Sequence, residues 1–501
     1  MEAELVVPLT SFDGSGAAVA HVGEERLVVH GAIPGERARV RPVRPLAPGR
    51  TLAELVEVVE PSPFRVTPRC RHAAVCGGCT WQHVAYEEQL RAKARRLEAV
   101  LARALGERAP AVAPMIGMPA GADGMPWGYR QKSSFVLAPG PSGRGLVMGH
   151  YARGTHDVVA ADECPVHPPR ANRVAFALRD ALAAARVSGA SEDLRRGTAR
   201  HVVLRTTRDE SECVAMLVVG REDPAVERPL RALLDSPDAP SGLAVNLNDR
   251  PGPYLVGRET RRVHGPGHVR ETSLGPAFLV SPTSFFQTNV AAASVLVDLV
   301  VRACEGSATS GGACSTCTRA AGSSRCRSPR AATRSWRSRP VARARATPSS
   351  TAARTASPRS GSLSWPPTWS ALPRLAEEEP FDAVVLDPPR DGCPPAVLRA
   401  VFRRLKPKRA VVVSCNPEAL GGELAEALAA GYRVLSLQPV DMFPHTPHVE
   451  AVAVLARGGG AVSGGRPPAG GRPAPTPRTP SSRSRTPGSR RPRAPGRSRT
   501  P

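Results

Sequence analysis

Over residues 1–60 short apolar runs alternate with Gly and Pro turns: Leu5-Val-Val-Pro-Leu, Arg26-Leu-Val-Val-His, Arg37-Ala-Arg-Val-Arg and Leu52-Ala-Glu-Leu-Val-Glu-Val-Val. Such a rhythm predicts a small OB-like β-barrel. From Tyr86 to Leu105 the period changes, with leucines and alanines at helical spacing among charges, which predicts an amphipathic helix with most of its charged face solvated. Strand-length runs return between residues 129 and 280, among them Val202-Val-Leu-Arg, Val214-Ala-Met-Leu-Val-Val and Leu243-Ala-Val-Asn-Leu, with one helix near Asn172–Ala185. This stretch reads as a mixed α+β domain.

A further helix starts at Ala291 and leads to three buried-strand runs, Phe381-Asp-Ala-Val-Val-Leu-Asp, Arg409-Ala-Val-Val-Val-Ser and Val449-Glu-Ala-Val-Ala-Val-Leu. Apolar runs separated by helical stretches predict a mostly parallel α/β sheet covered on both faces. Gly311 to about Pro367 breaks the pattern with Ser, Arg, Pro and Thr, where a doubly wound domain needs its first strands and its cofactor site. A chain of 501 residues divides into roughly two to four domains, so a multidomain protein is expected.

Charge sharpens this division. The formal +24 would point to nucleic acid, but 11 arginines without an acid lie in Gly311–Pro373 and 10 more in Gly458–Pro501, leaving +3 for the remainder. No run reaches the ~18 apolar residues of a membrane span, and the N-terminus lacks a signal-peptide layout, so a cytosolic protein is expected. In such a compartment, 11 cysteines suggest metal or catalysis above disulfides.

Four constellations carry chemistry. Cys70-x5-Cys76-Gly-Gly-Cys79 places three thiols on a glycine-softened loop, and Cys164, in Asp162-Glu-Cys-Pro-Val-His, is a candidate fourth; spacing leaves zinc and an iron-sulfur cluster both open. Cys314-x2-Cys317 mimics half a metal knuckle but has no second pair, and no function is assigned to it. Asp387-Pro-Pro-Arg follows a strand run and sets a carboxylate at the edge where open sheets bind ligands, unless it is a plain N-cap. Val411-Val-Val-Ser-Cys415-Asn-Pro delivers a thiol onto a turn at the same edge, where a buried cysteine would otherwise be a small hydrophobe. His445-Thr-Pro-His-Val-Glu450 adds a second carboxylate before the next strand. A thiol and two acids at strand ends make a plausible nucleophile, base and positioning acid.

In this order the strings resemble the RNA (uracil-C5)-methyltransferase family, in the branch with an N-terminal TRAM domain and a [4Fe-4S] cluster. Gly31-Ala-Ile-Pro-Gly-Glu is similar to the TRAM turn, Tyr129-Arg-Gln-Lys to a central-domain string, and Ser284-Phe-Phe-Gln287-Thr-Asn to the entry of the catalytic domain. The likeness covers roughly residues 1–308 and 370–456. It implies a TRAM barrel over 1–60, a central iron-sulfur domain from 61–88 and 125–280, and a Rossmann-like methyltransferase domain from 89–124 and 281–456, while the Arg/Pro/Ser composition of 457–501 reads separately as a disordered basic tail with no specific role. Cys70, Cys76, Cys79 and Cys164 become cluster ligands, Gln287 and Asp387 S-adenosylmethionine contacts, Cys415 the nucleophile and Glu450 the base. The implied substrate is RNA, ribosomal 23S RNA ahead of transfer RNA, acted on by a cytoplasmic monomer.

One departure stands out. Where the family carries a strand, a glycine-rich turn and an acid-tipped strand after the helix ending near Glu305, this chain has Ser, Arg and Pro. With suitable third bases, the codons from Ala313 to Ser328 read one nucleotide earlier spell Val-Leu-Asp-Leu-Tyr-Ala-Gly-Gly-Gly-Leu-Phe-Ala-Leu-Pro-Leu, a plausible first cofactor motif. A frameshifted segment over 311–370, restored before Leu375, is therefore expected, with cofactor binding impaired in the chain as written.

Overall fold

The computed structural model describes residues 4–140, 143, 145–252, 254–305, the backbone of 314–316, and 381–458. The expectations for the rest of the Arg/Ser segment and for the tail lie outside these residues.

Six strands build the N-terminal sheet: β1 (Leu5–Pro8), β2 (Ser11–Phe12), β3 (Ala18–Val22), β4 (Glu25–Val29), β5 (Arg37–Ala47) and β6 (Arg50–Glu60), ordered β1-β5-β6-β4-β3-β2. Alternate residues, among them Val7, Ala18, Ala20, Leu27, Val29, Ala38 and Val40, turn inward and form its core. The other face pairs Arg37 with Glu60, Arg39 with Glu57 and Arg41 with Glu54 across β5 and β6. These exposed pairs contribute little stability.

Helix α1 (Tyr86–Leu105) occupies the predicted span. Its charged positions are not all solvated, however: Lys93 is fully buried and Glu88 nearly so. Next come β7 (Lys132–Ala138), β8 (Val147–Tyr151), β9 (Val158–Ala160), α2 (Pro169–Ala184), β10 (Ala199–Thr206), β11 (Cys213–Val219), α3 (Glu227–Leu234), β12 (Gly242–Leu247) and β13 (Glu259–His264). The seven strands order as β13-β12-β11-β10-β7-β8-β9. Phe135, Val202, Leu204, Ala215 and Leu217 pack one face of this sheet against Leu178 and Leu182 of α2 and Leu230 of α3. A short hairpin, β14 (Val269–Glu271) with β15 (Phe278–Val280), leads on to α4 (Val290–Glu305).

The last sheet contains β16 (Cys314–Thr316), β17 (Ala383–Leu386), β18 (Arg409–Ser414), β19 (Tyr432–Val440) and β20 (Glu450–Arg457), with α5 (Pro395–Arg399) and α6 (Pro417–Ala429) between them. Its order is β16-β17-β18-β20-β19. The first three strands are parallel, but β20 runs antiparallel to both β18 and β19, so the sheet is less parallel than the apolar runs predict. β19 is not singled out by the sequence pattern, because several of its outward residues are solvated. Strand alternation then covers both faces. Val384, Leu386, Ala410 and Val412 meet Leu97 and Leu101 of α1 and Leu420 and Leu424 of α6, while Ala383, Val385, Val411 and Val413 meet Ala292 and Leu296 of α4.

Candidate functional site

The thiol owes its place to a strand that stops abruptly. β18 is an almost wholly buried run ending at Ser414, and Pro417 occupies the first turn of α6, where its missing N–H costs nothing. Between them Asn416 caps the helix, its side-chain oxygen accepting from the Glu418 N–H at 3.1 Å. Its amide nitrogen donates at 2.9 Å to the carbonyl of Arg390, on the loop after β17. Cys415 is thus half-buried on a turn held from both sides.

Register assembles the rest. β17 and β18 run in parallel with Leu386 beside Val412, so Asp387 leaves the sheet at the edge where Cys415 does. β20 is antiparallel to β18 with Ala451 beside Ser414, which sets Glu450, the first residue of β20, beside Cys415. The reversed strand brings its amino end to the carboxyl ends of its neighbours. That is how a residue following a loop joins two that follow strands.

The charges feel one another. Glu450 is only 6% exposed, and burial, followed by repulsion from Asp387 and against the pull of Arg390, pushes its carboxyl up to about 8. Burial alone lifts Asp387 to about 6. The Cys415 thiol is raised by burial first and by Glu450 next, with Arg390 acting the other way. Burial thus favours the protonated forms of both the Cys415 thiol and the Glu450 carboxyl at neutral pH.

Gln287 is half-buried in the loop preceding α4. Among the described residues no hydrogen bond joins it to Asp387, Cys415 or Glu450. Its neighbours anchor that loop: the Thr288 carbonyl accepts from the Gln131 N–H at 2.7 Å, and Asn289 donates to the Met442 carbonyl at 3.0 Å.

The loop leading to Glu450 is fixed from a distance. His445, in the left-handed region at φ 64°, accepts on its carbonyl from the Thr80 and Trp81 N–H groups, donates its own N–H to Gln89 at 2.8 Å, and stacks on Trp127 at 4.4 Å. Asp441 accepts from Lys93 at 2.6 Å and from the Tyr86 hydroxyl at 2.9 Å, both on α1. Sequence reasoning missed this framework, since its partners lie far apart along the chain.

The four predicted cysteines do come together. Cys70, Cys76, Cys79 and Cys164 line one small, partly open cavity, with His150, His167 and Arg130 in the wall. The Cys70 N–H donates to Gln82, Asn172 of α2 holds both the N–H and the carbonyl of Cys164, and Arg71 and Asp162 pair between the two cysteine loops. Gly77 suits the close approach here, because a Cβ would lie 3.2 Å from the Tyr151 carbonyl oxygen, where the loop bridges to the end of β8. Burial raises Cys70, lifts Cys79 to about 11 and Cys164 to about 12, and the neighbouring thiols push the same way. Four thiols around one cavity, of which Cys70, Cys79 and Cys164 resist ionisation, are a donor set that a polynuclear cation fits, because positive iron reverses that resistance. His150 and His167, whose ring nitrogens lie with Cys164 Sγ within 4.8 Å of one another, were not foreseen. The only sequence hint was His167 three residues after Cys164.

A family model described as tRNA (Uracil-5-)-methyltransferase matches residues 375–458. An uncharacterized RNA methyltransferase of Gloeobacter violaceus is 32% identical over 460 residues, covering 90% of this chain and 96% of its own. One from Caldanaerobacter subterraneus subsp. tengcongensis is 30% identical over 453 residues, covering 90% and 97%. The crystal structure of Pyrococcus abyssi tRNA (uracil-54, C5)-methyltransferase, in complex with S-adenosyl-L-homocysteine, shares the fold at a TM-score of 0.64 and 22% identity, over 90% of this chain and 99% of that one. The chain belongs to the RNA uracil-5-methyltransferase family. Among the described residues no helix is long and apolar enough to cross a membrane.

Proposed function

We propose that the protein methylates C5 of a uridine in RNA with S-adenosylmethionine as donor. The observation that carries this reading is the convergence of Cys415, Glu450 and Asp387 on one sheet edge. Uracil C5 is too weak a nucleophile to take a methyl group unaided, so the Cys415 thiolate adds to C6 and C5 acquires enolate character. S-adenosylmethionine, when bound, supplies the electrophilic methyl group. Glu450, once ionised, removes the remaining C5 proton; the C5=C6 double bond reforms as the C6–S bond breaks, and its electron pair returns to the Cys415 sulfur. Asp387 and Gln287 are assigned to holding the donor, Asp387 also setting the charge Glu450 must work against.

In this reading Cys70, Cys76, Cys79 and Cys164 hold a [4Fe-4S] cluster that ties the two cysteine loops together. Residues 1–60 act as a TRAM module gripping RNA backbone. Residues 61–88 and 125–280 form the central domain, and 89–124 join 281–456 in the catalytic domain, which the packing of α1 against that sheet supports. A base must leave its stack to meet a protein thiol, so a looped RNA segment suits the site better than duplex. 23S ribosomal RNA is the preferred substrate, with transfer RNA as the other candidate, and the working unit is a cytoplasmic monomer.

Incubating the full chain, purified without oxygen, with labelled S-adenosylmethionine and transcribed ribosomal or transfer RNA tests this directly. Label should reach uridine C5 and vanish in Cys415→Ala; methylation retained in that variant rejects the mechanism.

One observation favours a second reading, an RNA-binding homologue with a broken donor site. Arg, Ser and Pro replace the family's glycine-rich turn over 311–370, and the family match begins only at residue 375, where the reading frame is inferred to return. Intact RNA binding without S-adenosylmethionine binding supports that reading. Resequencing the gene decides whether the frame is interrupted.

A further inference from the structure

The wall of the cysteine cavity contains buried nitrogen atoms with nothing to bond. Nε2 of His150, Nδ1 of His167 and Nε of Arg130 are all buried without a hydrogen-bond partner. Buried polar groups are paired in the great majority of cases, and an unmade bond is costly, so a cluster of three at one cavity calls for an acceptor inside it.

Both rings are held firmly. His150, on β8, stacks on Phe135 at 5.0 Å, His167 meets the edge of the same ring at 5.0 Å, and the two imidazoles lie 5.5 Å apart. Phe135 is itself fully buried. The His167 N–H of the main chain donates to the Cys164 carbonyl at 3.0 Å, which fastens that residue to the cysteine turn. Their aim at Cys164 is therefore built by packing and by the backbone.

A single ion held by His150, Cys164 and His167 would take Cys164 away from Cys70, Cys76 and Cys79 and leave three thiols incomplete. Donation by both rings leaves the four-thiol set whole. We propose that His150 and His167 are N–H donors to the sulfur atoms of the cluster, Cys164 Sγ among them, and that they raise its reduction potential. This rests on the reading of the four cysteines as cluster ligands. The physical basis is general: a cluster with four thiolates is anionic, reduction adds another negative charge, and donors aimed at its sulfurs stabilise the more negative state.

The experiment uses full-length protein purified without oxygen, with iron, sulfide and zinc assayed and the cluster titrated by visible absorbance and electron paramagnetic resonance at controlled potential. His150→Phe and His167→Phe keep a ring and remove the donor; His150→Gln and His167→Gln keep an N–H. Each Phe variant should retain iron yet show a reduced-to-oxidised ratio about tenfold lower at fixed potential, equivalent to about 59 mV for a one-electron couple. The Gln variants should stay near the parent. Loss of iron in the Phe variants alone, with the Gln variants loaded, also supports donation. Unchanged potentials in loaded Phe variants overturn the proposal while leaving the cluster in place. Iron loss in all four variants overturns it in favour of direct ligation. A parent protein that binds only zinc, or no metal, removes the cluster reading itself.

Discussion

Lys93 Nζ lies 2.6 Å from Asp441 Oδ1, and neither side chain has any solvent exposure. The pair joins α1 to the chain immediately after β19, and Lys93 also donates to the Phe443 carbonyl at 3.0 Å. Burial lowers the Lys93 pKa and the aspartate opposes that shift. Removing one partner of such a pair strands the other charge, at a cost of about 3–5 kcal/mol. Lys93→Met should therefore lower the unfolding free energy measured by urea titration by that amount, and a loss below about 1 kcal/mol, the size of an exposed pair, would show that the pair is not buried in solution.

The thiol makes a separate prediction. Cys415 is raised by burial and by Glu450 and lowered by Arg390. Its alkylation by iodoacetamide, followed by peptide mass spectrometry as pH rises, should turn on later than an ordinary cysteine. Glu450→Gln removes a negative neighbour and should move the onset to lower pH, whereas Arg390→Ala should move it higher. Movement in the reverse sense would mean these charges do not face the sulfur.

Addition of Cys415 to C6 requires no methyl donor. RNA tritiated at uracil C5 should release tritium to water in the presence of the protein alone, since C5 of the adduct takes a proton from solvent and the resulting saturated carbon, acidic beside the C4 carbonyl, loses tritium as the C6–S bond breaks. Release should disappear in Cys415→Ala and fall roughly 10²–10⁴-fold in Glu450→Gln, the usual contribution of a general base. It should rise with pH as Glu450, held near 8, gives up its proton. This assay separates an intact nucleophile from an impaired donor pocket.

Metal content gives a further check. Cys79→Ser or Cys164→Ser should each cut bound iron by more than half and lower the melting temperature, because metal binding is coupled to folding of the loops that hold it. Iron at parental levels in both variants removes these residues from the ligand set.

The chemistry was more legible than the framework. Cys415 could be read from a buried strand interrupted by Asn416-Pro417, a local signal. Glu450 could be named from its string, but its place beside Cys415 depends on β20 running antiparallel, which no local pattern encodes. Lys93 falls on the apolar stripe of α1 between Gln89 and Leu97, yet its partner lies 348 residues away, so the helix rule reads it as one more solvated charge. His150 sits singly in a strand and carries no spacing at all. Interactions set by nearby residues were visible, and those set by how strands return were not.

Asn416 is a single amide with two commitments: its oxygen to the helix behind the thiol, its nitrogen to the loop that carries Asp387 and Arg390. The two loops are consequently tied to each other through one side chain. A displacement of the acid-bearing loop would therefore be passed to the turn that carries the sulfur. Replacing this amide would uncouple the two without touching a reacting atom.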